Sequence, residues 1–194
     1  MNKDPYGTHQ PFLKHYIQKT KGDIVEFGTG DNSTGLILDL IKGTNRKLVS
    51  LENDRYWQSR IVQKYPPSPN HQHIFVPSGQ DPVQDWKKTL STLDKNAFEL
   101  VFIDQSPWEA RIWTMDYFKD SADYIIIHDV DYFPKNGLFG KINIKCLTED
   151  PEFDFSDKFQ KWHVYYPEKP YPYITGPPTL VGTNKDAEID LVIN

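Results

Sequence analysis

The sequence predicts an α/β fold: a mostly parallel sheet of about seven strands flanked by helices, with antiparallel strands at the C-terminal end. Two observations carry this. From residue 23 to residue 129 five short apolar runs alternate with four segments of helical periodicity, the pattern left by right-handed strand–helix–strand crossovers. After residue 160 two more strand-like runs follow with no helix between them, so they finish the sheet antiparallel.

The elements follow in order. PFLKHYIQK (11–19) spaces its apolar residues as an amphipathic helix does. DIVEFG (23–28) is a buried strand ending at glycine, and STGLILDLIKG (33–43) is a helix opened by Ser33 or Thr34 and closed by Gly43. KLVSLE (47–52) is a strand, and NDRYWQSRIVQKY (53–65) is a helix stopped by Pro66 and Pro67. HIFVP (73–77) is the third strand, which makes His71 and His73 surface residues at or before its start. DPVQDWKKTLSTL (81–93) is a helix with Pro82 in its tolerant first turn. FELVFID (98–104), WEARIWTMDYFKD (108–120) and DYIIIHD (123–129) add a strand, a helix and a strand. KWHVYYP (161–167) and PTLVGTN (178–184) are the antiparallel pair, and residues 133–179 read as an aromatic, proline-rich lid.

Composition narrows the function. A chain of 194 residues accommodates one domain, taken here as 1–194. A net charge of -5 lacks the basic footprint that releases counterions from nucleic acid, so no nucleic-acid partner is expected. One cysteine, Cys146, excludes an internal disulfide and a multi-cysteine zinc site. No apolar stretch reaches membrane-spanning length, so a soluble, cytoplasmic protein with no membrane partner is expected.

Ligands on parallel sheets bind at the carboxyl ends of the strands. There VEFGTGDNSTG (25–35) turns straight from strand to helix through Gly28, Thr29 and Gly30, which lets backbone approach a ligand closely. A third glycine is missing, and Asp31 would repel a pyrophosphate, so a cationic or zwitterionic ligand suits this turn better. Glu26 lies where it can meet a ligand amino group, and Glu52, at the tip of the second strand, is placed for ribose hydroxyls. Asp104 and Asp129 end the fourth and fifth strands, and with Asp131 they form a carboxylate set able to hold Mg²⁺. His128 has the near-neutral pKa of a general base, and Asp104 is counted with both the catalytic and the cofactor-binding groups. Gln105 to Trp108 form a rigid aromatic mouth after Asp104, and His163 is a candidate substrate contact.

DIVEFGTGDNST, followed by LVSLEND, VPSGQD and FELVFIDQS, resembles the ordered motifs of class I S-adenosylmethionine-dependent methyltransferases, from about residue 20 to residue 131. The resemblance implies a Rossmann-like fold in which Gly28, Thr29 and Gly30 wrap the methionine part of the cofactor and Glu52 holds its ribose. Gln80 or Asp81 would stand near adenine. Asp31, Asn32 and Ser33 replace the family's common last glycine. Asp104 and the His128-Asp129 pair resemble the metal-assisted, sugar-modifying O-methyltransferases, although Val130 stands where catechol-type members carry Asn. The expected reaction is O-methylation of a small hydroxylated acceptor such as a sugar or sugar nucleotide, by a chain open to homo-oligomerisation. Three alternatives stand beside it. One is a metal-dependent glycosyltransferase using Asp129-Val130-Asp131; the others are a nicotinamide oxidoreductase and a methyltransferase-like domain that only binds.

Overall fold

The computed structural model describes residues 5–130, 155–166 and 176–193. The elements are α1 Gln10–Lys19, β1 Asp23–Phe27, α2 Thr34–Ile41, β2 Leu48–Glu52, α3 Arg55–Lys64, β3 His71–Phe75, α4 Pro82–Leu90, β4 Phe98–Ile103, α5 Trp108–Phe118, β5 Tyr124–His128, β6 Lys161–Tyr165 and β7 Thr179–Thr183. The seven strands form one sheet in the order β3-β2-β1-β4-β5-β7-β6. Neighbours among the first five pair parallel, while β7 pairs antiparallel with both β5 and β6. The strand order reverses between β1 and β4, so the crevice expected of such a sheet opens beside the glycine turn.

Both sheet faces are covered, which is why the central strands read as continuous apolar runs. On one face Val25, Phe27, Val101, Ile103, Ile125 and Ile127 pack with Trp86 of α4 and Met115 and Phe118 of α5. On the other Ile24, Leu48, Leu100, Phe102 and Ile126 meet Leu13, Tyr16 and Ile17 of α1 and Ile37 and Ile41 of α2. Glu26 interrupts the apolar alternation of β1 and is fully buried.

β3 starts two residues earlier than the HIFVP run suggested, and this corrects the reading of its histidines. His71 pairs with Leu48 in the sheet and is 3% exposed. His73 stands two residues on, with the ring centroids 4.0 Å apart. Ser50 bonds the buried His71 ring, while His73, bonded to the Tyr65 carbonyl, is half-buried. Much of the lid segment and Asp131 lie outside the described residues, while 161–165 is the edge strand β6.

Gly28 sits at φ 82°, and a Cβ there would come within 2.6 Å of the Asp104 carbonyl carbon and oxygen. The end of β1 is thereby pressed against the end of β4. Gly43, at φ 78°, has nothing within 4 Å. Gly43→Ala should therefore cost only the left-handed strain, about 1 kcal/mol. Gly28→Ala should cost clearly more, because backbone must also move. Chemical denaturation of the two variants checks the ranking; equal losses would contradict it.

Candidate active site

The carboxyl ends of β1, β2, β4 and β5 bring two groups of polar residues together. The first surrounds the glycine turn. α2 starts at Thr34, whose hydroxyl accepts from the Gly30 N–H at 3.2 Å and donates to Glu26 Oε2 at 2.8 Å. Ser50 of β2 donates to the same oxygen at 2.9 Å. Glu26 Oε1 is buried without a hydrogen-bond partner. Burial pushes the Glu26 pKa up to about 7, and it does so against the hydroxyls of Ser33, Thr34 and Ser50, which favour the charged form. Beside it, a Cβ on Gly30 would meet nothing closer than Ser33 Oγ at 3.6 Å. Gly30 is thus free of the crowding that dictates Gly28.

Glu52 is buried at the tip of β2 and braces that turn. Its Oε2 accepts from the N–H and hydroxyl of Thr29 at 3.0 and 3.1 Å, and its Oε1 from the N–H groups of Asn53 and Asp54, both at 2.8 Å. Asp31 departs from the expectation drawn for it: Lys64 Nζ lies 2.8 Å and Arg60 Nη2 3.8 Å from its carboxylate, so cations of α3 counter its charge. Gln80 is exposed, and Asp81 is an exposed N-cap of α4 that accepts from the Gln84 N–H.

The second group lies between β4 and β5. Asp104 Oδ1 and Asp129 Oδ1 stand 3.4 and 3.5 Å from His128 Nδ1. Asp129, at φ 53°, turns in a conformation that aspartate tolerates better than most residues. Arg111, buried on α5, faces both carboxylates: its Nη2 lies 3.0 Å from Asp104 Oδ1 and its Nη1 3.6 Å from Asp129 Oδ2. It also donates to the carbonyls of Asp104, Gln105 and His128. The side chain of Asp104 keeps 27% of its surface exposed, so the pair borders solvent.

Proton accounting assigns the His128 tautomer. Thr8 Oγ1 gives its one proton to the Pro177 carbonyl at 2.7 Å, so it accepts from His128 Nε2–H at 3.1 Å. The exchangeable site is therefore Nδ1, which faces the carboxylates. Burial acts to lower the His128 pKa, but the hydrogen bond and charge of Asp104 and the charge of Asp129 outweigh it and hold it above the usual value. Burial likewise tends to raise Asp104, yet Arg111 and His128 hold it low. For Asp129 burial prevails and the pKa is raised.

Residues just before and at the start of α1 tie the two groups together. Thr8 holds His128, the His9 ring lies 4.3 Å from His128 and 4.9 Å from Phe102, and Gln10 donates to the Asn32 carbonyl at 3.1 Å. Sequence reasoning missed Thr8, His9, Ser50 and Arg111. Only Arg111 left a signal, as the one cation in a largely apolar helix that follows an aspartate-ended strand. Gln105 is buried and bonded to Thr114, so it does not open onto the mouth expected at Gln105 to Trp108. His163 lines a separate groove of about 700 Å³ along β6, with Phe12, Trp162 and Tyr166.

No family model and no curated protein matches the chain. Solved structures do. Cofactor-bound Rv0187 from MTB superposes with a TM-score of 0.61 at 15% identity, covering 92% of this chain and 80% of that one. An O-methyltransferase from Bacillus cereus in complex with SAH gives 0.59 at 11%, covering 94% and 84%. A Klebsiella pneumoniae protein with a provisional O-methyltransferase assignment gives 0.61 at 17%, covering 95% and 84%. This is the methyltransferase fold. Among the described residues no helix is long and apolar enough to cross a membrane.

Two predictions follow from the charge cluster. Arg111→Met leaves two partly buried carboxylates facing each other and should destabilise the protein by about 3 kcal/mol in denaturant titration; a loss within error would remove Arg111 from this role. Folded His128 is held above its unfolded value of about 6.5. Its charge thus stabilises fully below that pH, and the contribution fades as pH rises through the folded value. The stability lost in His128→Gln should accordingly shrink with rising pH, and growth instead would contradict the arrangement.

Proposed function

We propose that the chain is an S-adenosylmethionine-dependent O-methyltransferase acting on a small hydroxylated acceptor. The observation that carries this reading is a buried carboxylate oxygen on Glu26 without a hydrogen-bond partner, beside a Gly30 that no crowding forces to be glycine. A cofactor carrying both an ammonium and a sulfonium fits an anionic hollow of that kind. Gly28, Thr29 and Gly30 would bear on its methionine part, Glu26 on the ammonium and Glu52 on the ribose. Gln80 and Asp81 remain the candidates near adenine; both lie in the loop after β3 that leads into α4.

The cofactor supplies the electrophilic methyl group when bound. The chain's part is to hold the acceptor oxygen in line and to receive its proton. His128 and Asp104 are the groups for that proton: Nε2–H is held by Thr8, and Nδ1, which faces the two carboxylates, receives a proton only in the neutral ring, above its raised pKa. The ligand atoms of Asp104, His128 and Asp129 all lie within 4.8 Å of one another, close enough for one divalent cation. An imidazole donor suits Mn²⁺ better than the all-oxygen preference of Mg²⁺, and the ion would have to replace the His128 Nδ1 proton. Arg111 already supplies one positive charge to both carboxylates, which lowers their demand for a metal. A sugar or sugar nucleotide is the favoured acceptor, on the strength of the His128-Asp129 pair and the aromatic-rich tail.

Calorimetry with S-adenosylhomocysteine tests the cofactor assignment. Binding is expected, and Glu52→Ala should weaken it by about 1.5–3 kcal/mol, the worth of hydrogen bonds to a charged group. Unchanged affinity would remove Glu52 from the site. Turnover with candidate sugar acceptors, measured in chelator and then with Mn²⁺ or Mg²⁺ restored, tests the metal. Full turnover in chelator excludes a required ion, while restoration preferring Mn²⁺ supports the Asp-His-Asp set.

A further inference from the structure

Glu26 does not stand alone. A chain of buried polar side chains runs from the glycine turn across three strands: Gly30 N–H to Thr34, Thr34 to Glu26, Ser50 to Glu26, and His71 Nε2 to Ser50 Oγ at 3.1 Å. Glu26, Ser50 and Thr34 are fully buried, and His71 nearly so. Burying such a chain costs stability unless its members are paired, and nothing in the packing of an α/β core requires it.

Its proton directions follow from hydrogen-bond chemistry. In the ionised form that an ammonium requires, the Glu26 carboxylate only accepts, so Ser50 gives its single proton to Oε2. The Ser50 oxygen is then left to accept, and His71 must present Nε2–H to it. Burial and the neighbouring His73 push the His71 pKa down to about 4, which leaves that ring neutral with one proton to place. Thr34 and Ser50 both donate to Oε2, Ser33 is the third hydroxyl acting on the carboxylate, and the buried Oε1 has no hydrogen-bond partner.

We propose that Ser50 and His71 are positioning residues for ammonium recognition: through Oε2 they favour the ionised form of Glu26 and orient it, so that Oε1 receives the amino group of the bound cofactor. This deepens the reading given under Proposed function and rests on it. His71 acts at one remove, by fixing the direction of the Ser50 hydroxyl. Without Ser50, one of the donors that favour the charged form is gone. Glu26 then protonates more readily, and a neutral carboxyl facing an ammonium loses the charge that attracts it.

The test compares two nucleosides that differ only at the amino-acid end. S-Adenosylhomocysteine carries the ammonium; 5′-methylthioadenosine lacks it. Ser50→Ala should weaken the first by roughly tenfold and leave the second unchanged, which also shows that the variant is folded. His71→Leu should shift the first by a smaller factor in the same direction, and His71→Gln, whose amide N–H can stand in for Nε2–H, should restore it. In a Glu26→Gln background the Ser50→Ala effect should vanish, since the two act as one unit. Equal weakening of both nucleosides, no weakening of either, or a full Ser50→Ala effect without Glu26 would overturn the proposal. If the unmodified chain binds neither nucleoside, the cofactor reading itself falls and this proposal with it.

Discussion

A single guanidinium, buried between the ends of two parallel strands, is the contact on which the rest of the site depends. β4 and β5 are neighbours, and each is followed at once by an aspartate. Two carboxylates that close would repel if left alone. Arg111 reaches both, and its remaining N–H groups take up the carbonyls of Asp104, Gln105 and His128. Through it α5 carries the charge balance of the cluster and also fixes the backbone on which the cluster stands. His128, its pKa held up by the same two carboxylates, supplies a second positive group when protonated.

The glycine turn is coupled to this centre from two sides. Gly28 abuts the Asp104 backbone, so the turn cannot shift without moving the end of β4. From above, Thr8, His9 and Gln10 touch His128, Phe102 and Asn32. A group bound at the turn and a group bound at Asp104 would therefore sit on a shared frame. Methyl transfer demands that geometry, because its barrier falls mainly through alignment of the two reacting atoms.

The fold was legible because its signal is periodic. Alternating apolar runs and amphipathic segments specify crossovers, and each strand ended within a residue or two of its punctuation. The strand-end aspartates were legible for the same reason, since a parallel sheet gathers its carboxyl ends in one place. What escaped depends on contacts distant in sequence. Nothing local says that Arg111 turns inward, that Lys64 and Arg60 answer Asp31, or that Ser50 and His71 meet Glu26 across neighbouring strands. His71 was misplaced because a histidine beside Asn70 looks like loop, whereas pairing with Leu48 draws it into β3. Gly28 has a second reason to be glycine beside the ligand role read for it, because the Asp104 backbone leaves no room for a Cβ.

The central claim is that the carboxyl ends of β1, β2, β4 and β5 form one site, with cofactor at the glycine turn and chemistry at Asp104, His128 and Asp129. A crystal structure grown with S-adenosylhomocysteine tests it most directly. The amino end of the nucleoside should lie at Glu26 Oε1 and Gly30, with its sulfur facing the Asp104–His128 pair. A nucleoside found instead in the groove along β6, or with its amino end away from Glu26, would refute a single site at these strand ends.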